Sequence, residues 1–352
     1  MPYYVTVEDV KTALDSKATA RDTARVRRAI AAASADVDQV TQRGAGAFRP
    51  SIGARSFDWP PAQTTAPYRL WLDANPLISV TTLTAGGVTI PAADYYLEPY
   101  NYGPPYNSIQ IDTSSSSAWA SGDSSQRAIT VTGLWGYADD RETVGTLTAG
   151  INASVTAITL SSGALVGIGD QLICGTERME VTARTWVDTG VNTNDAMTAS
   201  NAGVTLPLAA PSAVTAGEVV LVDSEKMLVT DVAAVATVIR AWDGSTLAAH
   251  SSNADVYVDR GLTVTRAAAG STAAAHNNGD TVTRHVVPPA VHALTVASAL
   301  AQVLQEQAGY RTSGSTTGST SKPAETAPGA DLGALRERVA SLHGRQARTR
   351  VI

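Results

Sequence analysis

The chain contains little cysteine and few large aromatic residues. Its 352 residues include one cysteine, Cys174, and two phenylalanines. A single cysteine cannot close an intrachain disulfide, so a disulfide-stapled fold and zinc sites built from several thiolates are both excluded. No cluster of positive charge that would activate a thiol surrounds Cys174 in the sequence. We therefore interpret it as a small core or turn residue.

Long apolar runs and a basic surface are also missing. No run approaches the ~20 apolar residues needed to span a bilayer, and we expect neither a secretion signal nor membrane association. Residues 61–311 hold eleven Lys/Arg against twenty-two Asp/Glu, whereas residues 312–352 hold six against three. Proteins that bind duplex DNA tightly normally carry a basic face. Specific DNA binding is therefore not expected.

Motifs of the common enzyme classes are absent too. The sequence has no phosphate-binding loop of the Gly-x-x-x-x-Gly-Lys-Ser/Thr type and no His-Glu-x-x-His. The carboxylate pairs Asp139/Asp140 and Glu177/Glu180 lack any sign of the desolvation that tunes an acid–base pair. We expect no catalytic residue, no cofactor and no metal site.

The first sixty residues follow a helical pattern. Thr6 with Asp9 predicts a capping box at the start of one helix, and Thr19 with Asp22 predicts the start of a second. Apolar residues in the second helix recur at helical spacing; they are Val26, Ile30, Ala33, Val37 and Val40.

From residue 59 the pattern changes to short strands separated by turn residues. The predicted strands cover residues 69–72, 77–83, 94–97, 108–111 and 128–133. This spacing predicts a small antiparallel sheet or sandwich over 59–140.

Residues 145–285 contain an internal repeat. Residues 171–182 and 219–230 share Glu-basic-Met-x-Val-Thr after an apolar strand, and residues 240–250 and 266–276 share Arg-Ala-x-x-Gly-Ser-Thr-x-Ala-Ala-His. The order of these halves predicts nesting: one β-module of about 145–190 plus 259–285 is interrupted by a second of about 196–258. Tandem duplication with decayed parts is the alternative.

Two histidines, His250 and His276, end the second shared segment. A metal pair or a catalytic diad would use histidines in this way, but metal sites need three or four convergent ligands. We expect each histidine to close a local hydrogen bond beside its Gly-Ser-Thr turn.

The C-terminal part returns to helix. Pro288 and Pro289 suit a helix start, and apolar residues follow at Leu294, Ala297, Ala301, Leu304 and Ala308. Residues 312–330 are rich in Ser, Thr and Gly, then Pro and Ala, which is typical of a flexible linker. Asp331 then predicts the cap of a short amphipathic helix.

The order of these segments resembles the head–tail connector (adaptor, head-completion) proteins of long-tailed bacteriophages. The resemblance is carried by residues 7–14, 69–72, 76–80, 94–97 and 128–137, and by Val287-Pro288-Pro289-Ala290-Val291 with the helix that ends at Tyr310-Arg311. In that family Gly-Tyr is followed within a few residues by the proline-initiated helix. Here a long segment separates Tyr137 from Pro288, and we interpret residues 141–285 as an inserted β-domain.

The resemblance implies a non-enzymatic virion protein at the head–tail interface, assembled in the host cytoplasm. Such proteins form a ring, commonly of twelve subunits, between the portal protein and the tail terminator or stopper. Genomic DNA passes through the ring without specific binding, and the C-terminal segment docks into the portal.

Two sets of residues are candidate contacts. Portal docking is expected of Leu332, Leu335, Val339 and Leu342, with Arg345, Arg348 and Arg350 as polar anchors; the other interpretation is a frayed terminus. Contacts between subunits are expected of Arg21, Arg25 and Arg28, for which a solvated helix face is the alternative.

The expected fold class is α+β. A small helical core with an antiparallel sheet carries an inserted all-β domain of two related modules and a C-terminal tail helix. The expected boundaries are 1–58 (helical), 59–140 (antiparallel β), 141–285 (inserted β), 286–311 (core helix), 312–330 (linker) and 331–352 (docking helix). A minor tail or capsid-decoration protein, whose β-domain contacts host or capsid, is the alternative function. A carbohydrate-active enzyme is a third possibility, and a pocket lined by paired carboxylates would favour it.

Overall fold

A computed structural model describes residues 3–14, 23–59, 68–312 and 332–345 of the chain. The fold is α+β, with four helices and antiparallel sheets in the described residues. None of the described helices has the length and apolar character needed to cross a bilayer.

The helices lie at the two ends of the described chain. Their bounds are α1 Val7–Ala13, α2 Thr23–Val40, α3 Pro289–Thr312 and α4 Leu332–His343. The capping box of α1 is confirmed: the backbone N–H of Asp9 donates to Thr6 Oγ1 at 3.0 Å, and the N–H of Thr6 donates to Asp9 Oδ2 at 2.8 Å. The predicted caps at Thr19/Asp22 and at Asp331 lie outside the described residues.

Helix α2 buries the predicted apolar stripe, from Val26 to Val37, although Val40 at its end is only half-buried. Of the stripe predicted for α3, Leu294 is buried, Ala297, Ala301 and Leu304 are half-buried, and the side chain of Ala308 lies outside the described part. The buried residues of α3 are Val291, Leu294, Thr295, Ala299 and Val303. Helix α3 packs against α1 and α2 on one side and α4 on another, so several faces are covered. An alanine-rich helical pattern does not indicate which of these faces is buried.

Residues 51–135 form two small antiparallel sheets. Their strands are β1 Ser51–Phe57, β2 Arg69–Trp71, β3 Leu77–Ala85, β4 Val88–Thr89, β5 Tyr95–Glu98, β6 Ser108–Ile111 and β7 Ile129–Trp135. The strand orders are β1-β7-β3-β4 and β2-β6-β5. Both sheets contribute to one apolar core that includes Leu70, Leu83, Ile109 and Val131.

Strand β1 corrects the expectation of helix throughout 1–58. Helix α2 ends at Val40, and residues 51–57 pair along the whole length of β7, from Ser51 opposite Trp135 to Phe57 opposite Ile129. Helical periodicity was present only up to residue 40. Pairing with a distant strand, which the local pattern does not contain, decides the conformation of the residues that follow.

Residues 141–285 form a ten-stranded antiparallel sheet. Its strands are β8 Arg141–Thr146, β9 Ala157–Thr159, β10 Gln171–Cys174, β11 Glu177–Asn192, β12 Thr205–Leu206, β13 Val219–Val222, β14 Glu225–Val232, β15 Ala236–Ile239, β16 Asp255–Thr265 and β17 Thr281–His285. The order is β12-β15-β14-β13-β16-β11-β10-β17-β8, and β9 also pairs with β16.

This sheet has two separate apolar cores, each matching one copy of the repeat. Leu172, Met179 and Val264 lie in the first, and Val220, Met227 and Val256 lie in the second. The two long strands β11 and β16 run through both: Val181 pairs with Val264 in the first part, and Val187 pairs with Val258 in the second. The pairing that nesting requires is therefore present. We call the two parts module 1 (β8–β10, β17 and the adjoining halves of β11 and β16) and module 2 (β12–β15 and the remaining halves).

Candidate functional site

Each module is built around a buried glutamate at the start of the repeated strand. In module 2, both oxygens of Glu225 accept hydrogen bonds from the guanidinium of Arg240, each at 2.7 Å. The backbone N–H groups of Ala241 and Ala248 also donate to this carboxylate, at 2.9 and 3.0 Å. His250 Nε2 lies 2.9 Å from Glu225 Oε2. One carboxylate thus fixes the whole turn from residue 240 to residue 250.

Module 1 repeats this arrangement. Glu177 accepts two hydrogen bonds from Arg266, each at 2.7 Å, and lies 2.8 Å from His276 Nε2. Backbone N–H groups of Ala267 and Ala274 complete its contacts, at 3.2 and 3.0 Å. The expectation that the repeated histidines close local hydrogen bonds is confirmed.

The sequence between the arginine and the histidine produces a tight turn. Ala241 and Asp243 in module 2, and Ala267 and Ala269 in module 1, all have positive φ angles of 50–54°. A residue other than glycine with a positive φ is strained, which raises the free energy of the folded state. The hydrogen bonds to the glutamate offset that strain. The serine of each Gly-Ser-Thr accepts from the opposite strand: Ser245 Oγ from the Lys226 N–H and Ser271 Oγ from the Arg178 N–H, both at 2.9 Å.

The electrostatics of both centres favour an ionised carboxylate. Burial acts to raise the pKa of each glutamate, but the hydrogen bonds from arginine, backbone and histidine outweigh it. They lower the pKa of Glu177 and of Glu225 to about 2. Every oxygen of these carboxylates is committed to the turn, which makes the centres structural clamps.

The modules differ at one position of this centre. In module 2, Asp223 Oδ2 lies 2.7 Å from His250 Nδ1. Module 1 has Gly175 at the equivalent position, next to Cys174, whose thiol is buried. Its sulfur, a ring nitrogen of His276 and a carboxylate oxygen of Asp280 all lie within 4.8 Å of one another. These three residues could hold a metal ion.

The predicted docking helix α4 packs onto the helical core of its own chain. Val339 is fully buried, and Leu332 and Leu335 are half-buried against the same apolar cluster, which includes Phe48 and Leu294. Leu342 is 56% exposed. Three residues of the predicted stripe therefore pack on the core, and the fourth is exposed.

Polar contacts fix α4 at both ends. Arg336 pairs with Asp36 at 2.9 Å, and Arg43 Nε donates to the carbonyl of His343 at 2.7 Å. Arg345 is exposed, and its backbone N–H donates to Thr41 O at 2.9 Å. Arg348 and Arg350 lie outside the described residues.

The predicted subunit-contact arginines divide into different environments. Arg25 lies 3.6 Å from Glu306 of α3, with both side chains about 40% exposed. Arg28 is exposed on α2. Arg21 lies outside the described residues.

The helices and module 1 meet along a polar seam. Glu8 Oε2 accepts from the backbone N–H of Ile168 at 2.6 Å, and Arg178 Nη2 donates to both oxygens of Asp139 at 2.9 Å. His285 Nε2 lies 2.8 Å from the carbonyl of Phe48. Asp139 is thus an ion-pair residue of the seam.

A cavity of about 270 Å³ opens at this seam and includes Asp9 and Asp170 in its lining. Asp9 Oδ2 accepts from Thr6 in the capping box, and Asp170 Oδ2 accepts from the Gly167 N–H at 2.8 Å. Burial raises the pKa of Asp170 to about 7. Both carboxylates also orient backbone groups of the seam.

Comparisons with protein-family models, with curated proteins and with solved structures gave no match to the chain.

Proposed function

We propose that the chain is a structural virion protein that forms an oligomeric ring, connects the capsid portal to the tail or stopper, and lets DNA pass. The observation that carries this proposal is where residues 141–285 leave and rejoin the chain. Arg141, the first residue of β8, pairs directly with His285, the last residue of β17. Beside this pair, the backbone N–H of Val286 donates to Asp140 O at 2.8 Å.

The two ends of this segment therefore lie side by side, as they would in an insertion. Without it, Tyr137 and Asp140 would be followed at once by Val286 and the proline-initiated helix α3. That is the order of the connector family that the sequence resembles. We infer that 141–285 is an inserted all-β domain of two related, nested modules.

The helices, an exposed arginine on α2 and the charge of the β-rich region also support a ring subunit. Helices α1, α2 and α3 pack into one helical unit from opposite ends of the sequence. The exposed arginine Arg28 remains on the outer face of α2, where a neighbouring subunit would meet it. The acidic excess of residues 61–311 suits a conduit, because a negative lumen repels the passing duplex.

Helix α4 is proposed as a docking arm that changes partner. On the isolated chain its apolar face covers the helical core, centred on Val339. The 313–331 segment joins it to α3 and is rich in small polar residues. Because this segment keeps the arm attached to the chain, the arm stays at an effective concentration of about millimolar, and a portal site needs only modest affinity to capture it.

The first test is mass and symmetry of the purified chain, by light scattering and negative-stain imaging, with and without portal protein. A ring, or a monomer that becomes a ring on adding portal, is the expected result. A monomer or trimer indifferent to portal would overturn the proposal and favour a minor tail or capsid-decoration protein.

The docking arm needs its own comparison. A chain ending at Thr312 is expected to lose portal binding while keeping its folded β-modules. Leu342→Ser changes an exposed residue of the same helix, and Arg28→Glu changes the proposed ring contact without touching the arm. If the shortened chain binds portal as well as the full chain does, α4 is a structural helix only.

The insertion is tested by joining Asp140 to Val286 through a short Gly-Ser linker. The shortened protein is expected to retain helical content and the 51–135 sheets, because the points being joined are already adjacent. Loss of all folded structure would show that 141–285 is integral to the core.

A further inference from the structure

The most unusual cluster outside the proposed ring and portal contacts is that of Cys174, His276 and Asp280. Cys174 ends β10, and its partner in the adjacent strand is Val282 of β17. Asp280 immediately precedes β17, so the sheet places it beside the cysteine. His276 is held by two backbone hydrogen bonds to Ile151, each at 2.9 Å. Three separate backbone constraints therefore converge on one point.

The side chains that meet there are buried together. Cys174 is 1% exposed, His276 is 8% exposed and Asp280 is half-buried. Their ligand atoms lie within 4.8 Å of one another. Atoms about 2.0–2.3 Å from a common metal would be separated by less than this limit, so small rotations of the side chains suffice.

Neighbouring groups orient two of the three ligands. Glu177 occupies His276 Nε2 at 2.8 Å, which leaves Nδ1 as the nitrogen directed at the cluster. Asp280 Oδ2 accepts from the backbone N–H of Asn277 at 2.8 Å, which leaves its other oxygen for a ligand. A carboxylate on the far nitrogen of a histidine is the usual support of a metal-binding imidazole.

Module 2 provides an internal comparison. There the equivalent histidine, His250, turns Nδ1 toward Asp223 at 2.7 Å, and this pair already satisfies itself by hydrogen bonding. In module 1, Gly175 stands at the position of Asp223, and Cys174 stands at the position of Val222. Module 1 therefore has a thiol where module 2 has an apolar side chain, and Asp280 on the turn before β17 adds a third possible donor.

We propose that Cys174, His276 and Asp280 form a binding site for a divalent metal of the zinc class. Sulfur, imidazole nitrogen and carboxylate oxygen together suit zinc, with water completing a tetrahedral site. The site lies in module 1 and does not depend on the ring or the portal contact. Its metal would tie the end of β10 to the turn that opens β17.

The test uses Co²⁺ as a spectroscopic probe for the full chain. Burial raises the pKa of the Cys174 thiol, with a further contribution from Asp280, so the titration is run near pH 8 to favour the thiolate. We expect one equivalent of Co²⁺ to give a thiolate charge-transfer band in the near ultraviolet and tetrahedral bands in the visible. Zn²⁺ should abolish both by displacement.

Variants separate a built site from adventitious binding. Cys174→Ser should remove the charge-transfer band, and Asp280→Asn should weaken Co²⁺ binding at least about tenfold. As a control in module 2, Asp223→Ser changes the group beside the equivalent histidine, His250, and should leave the titration unchanged. Circular dichroism of each variant checks that it is folded.

Two results would overturn the proposal. One is a wild-type chain that shows no thiolate band with excess Co²⁺. The other is a band that depends on Cys174 but has the same affinity in folded Asp280→Asn and His276→Gln, because a lone thiol would then be the only ligand. Zn²⁺ should also raise the midpoint of thermal unfolding of the wild type and leave that of Cys174→Ser unchanged.

Discussion

Removing the charge of Glu225 is expected to loosen module 2 and leave module 1 intact. Glu225→Gln preserves the size of the side chain but places an amide where five donors converge. Arg240, 2% exposed, would keep its charge without a counter-ion. The amide nitrogen would also face the N–H groups of Ala241 and Ala248, which now donate to the carboxylate.

The loss of stability caused by Glu225→Gln can be worked out in two ways, which agree. Breaking a buried ion pair by removing one partner costs about 3–5 kcal/mol. The pKa of Glu225 is lowered from 4.5 to about 2, and at about 1.4 kcal/mol per pKa unit this corresponds to roughly 3 kcal/mol. We therefore expect a loss of about 3 kcal/mol in the free energy of opening module 2.

Hydrogen–deuterium exchange of the amides, resolved by peptide, measures this loss where it occurs. A loss of about 3 kcal/mol accelerates exchange about a hundredfold, in peptides covering β13–β15. Peptides from β8 and β17 in module 1 serve as the control. Glu177→Gln should produce the mirror image, fast exchange in module 1 with module 2 protected.

The dependence on pH gives a second check. A carboxyl whose pKa is lowered by folding stabilises the protein above its unfolded pKa of about 4.5, and the contribution disappears as pH falls toward 2. Wild type and Glu225→Gln should therefore differ most at pH 6–7 and converge in acid. The predicted role of Glu225 is refuted if Glu225→Gln changes amide exchange in module 2 less than about fivefold, or if both modules respond equally.

Three further perturbations follow from the structure. Burial raises the pKa of Asp170 to about 7, so between about pH 4 and 7 the folded state binds a proton there that the unfolded state has lost, and stability falls as the pH rises. Asp170→Asn should remove this decline from a curve of unfolding free energy against pH. An unchanged curve would contradict this prediction. Gly270→Ala should lower the midpoint of thermal unfolding and weaken the contact with β1, because its Cβ would lie 2.0 Å from a carbonyl oxygen of that strand. The control is Gly279→Ala, which has a positive φ as well but open space around it, and it should lower the midpoint less. Val339→Ala should cost about 2 kcal/mol and make α4 easier for a protease to cleave, while Leu342→Ala, at an exposed position, should have little effect. Equal proteolysis of both variants would show that α4 is not held by Val339.

Elements governed by local patterns could be predicted from the sequence. The capping box at Thr6, the apolar stripe of α2 and five of the six strands between residues 69 and 135 all reflect periodicity or turn chemistry within a few residues. The repeat was visible because the Glu-basic-Met-x-Val-Thr segment and the Arg-to-His segment each recur with constant internal spacing, and their Glu, Arg and His meet in each module.

Features decided by distant contacts could not be predicted in the same way. Strand β1 depends on β7, and the buried face of α3 depends on which helices cover it. Cys174 and Asp280 are far apart in sequence, so their meeting with His276 required the pairing of β10 with β17. The packing of α4 on its own chain likewise has no signature in an amphipathic pattern, which specifies an apolar face but not its partner.

The separation of α3 from α1 and α2 in the sequence affects how the helical bundle closes during synthesis. Helices α1 and α2 leave the ribosome early, but α3, which covers the face carrying Val26 and Ile30, follows only after residues 41–288 have been made. At about 5–20 residues per second this interval is on the order of tens of seconds. During it the nascent chain presents an unprotected apolar surface, and the modules, if folded first, bring residues 140 and 286 together and shorten the search that closes the bundle. A trigger-type chaperone bound to residues 23–40 would therefore be expected on ribosomes stalled before residue 289, and absent from ribosomes stalled after α3 has emerged.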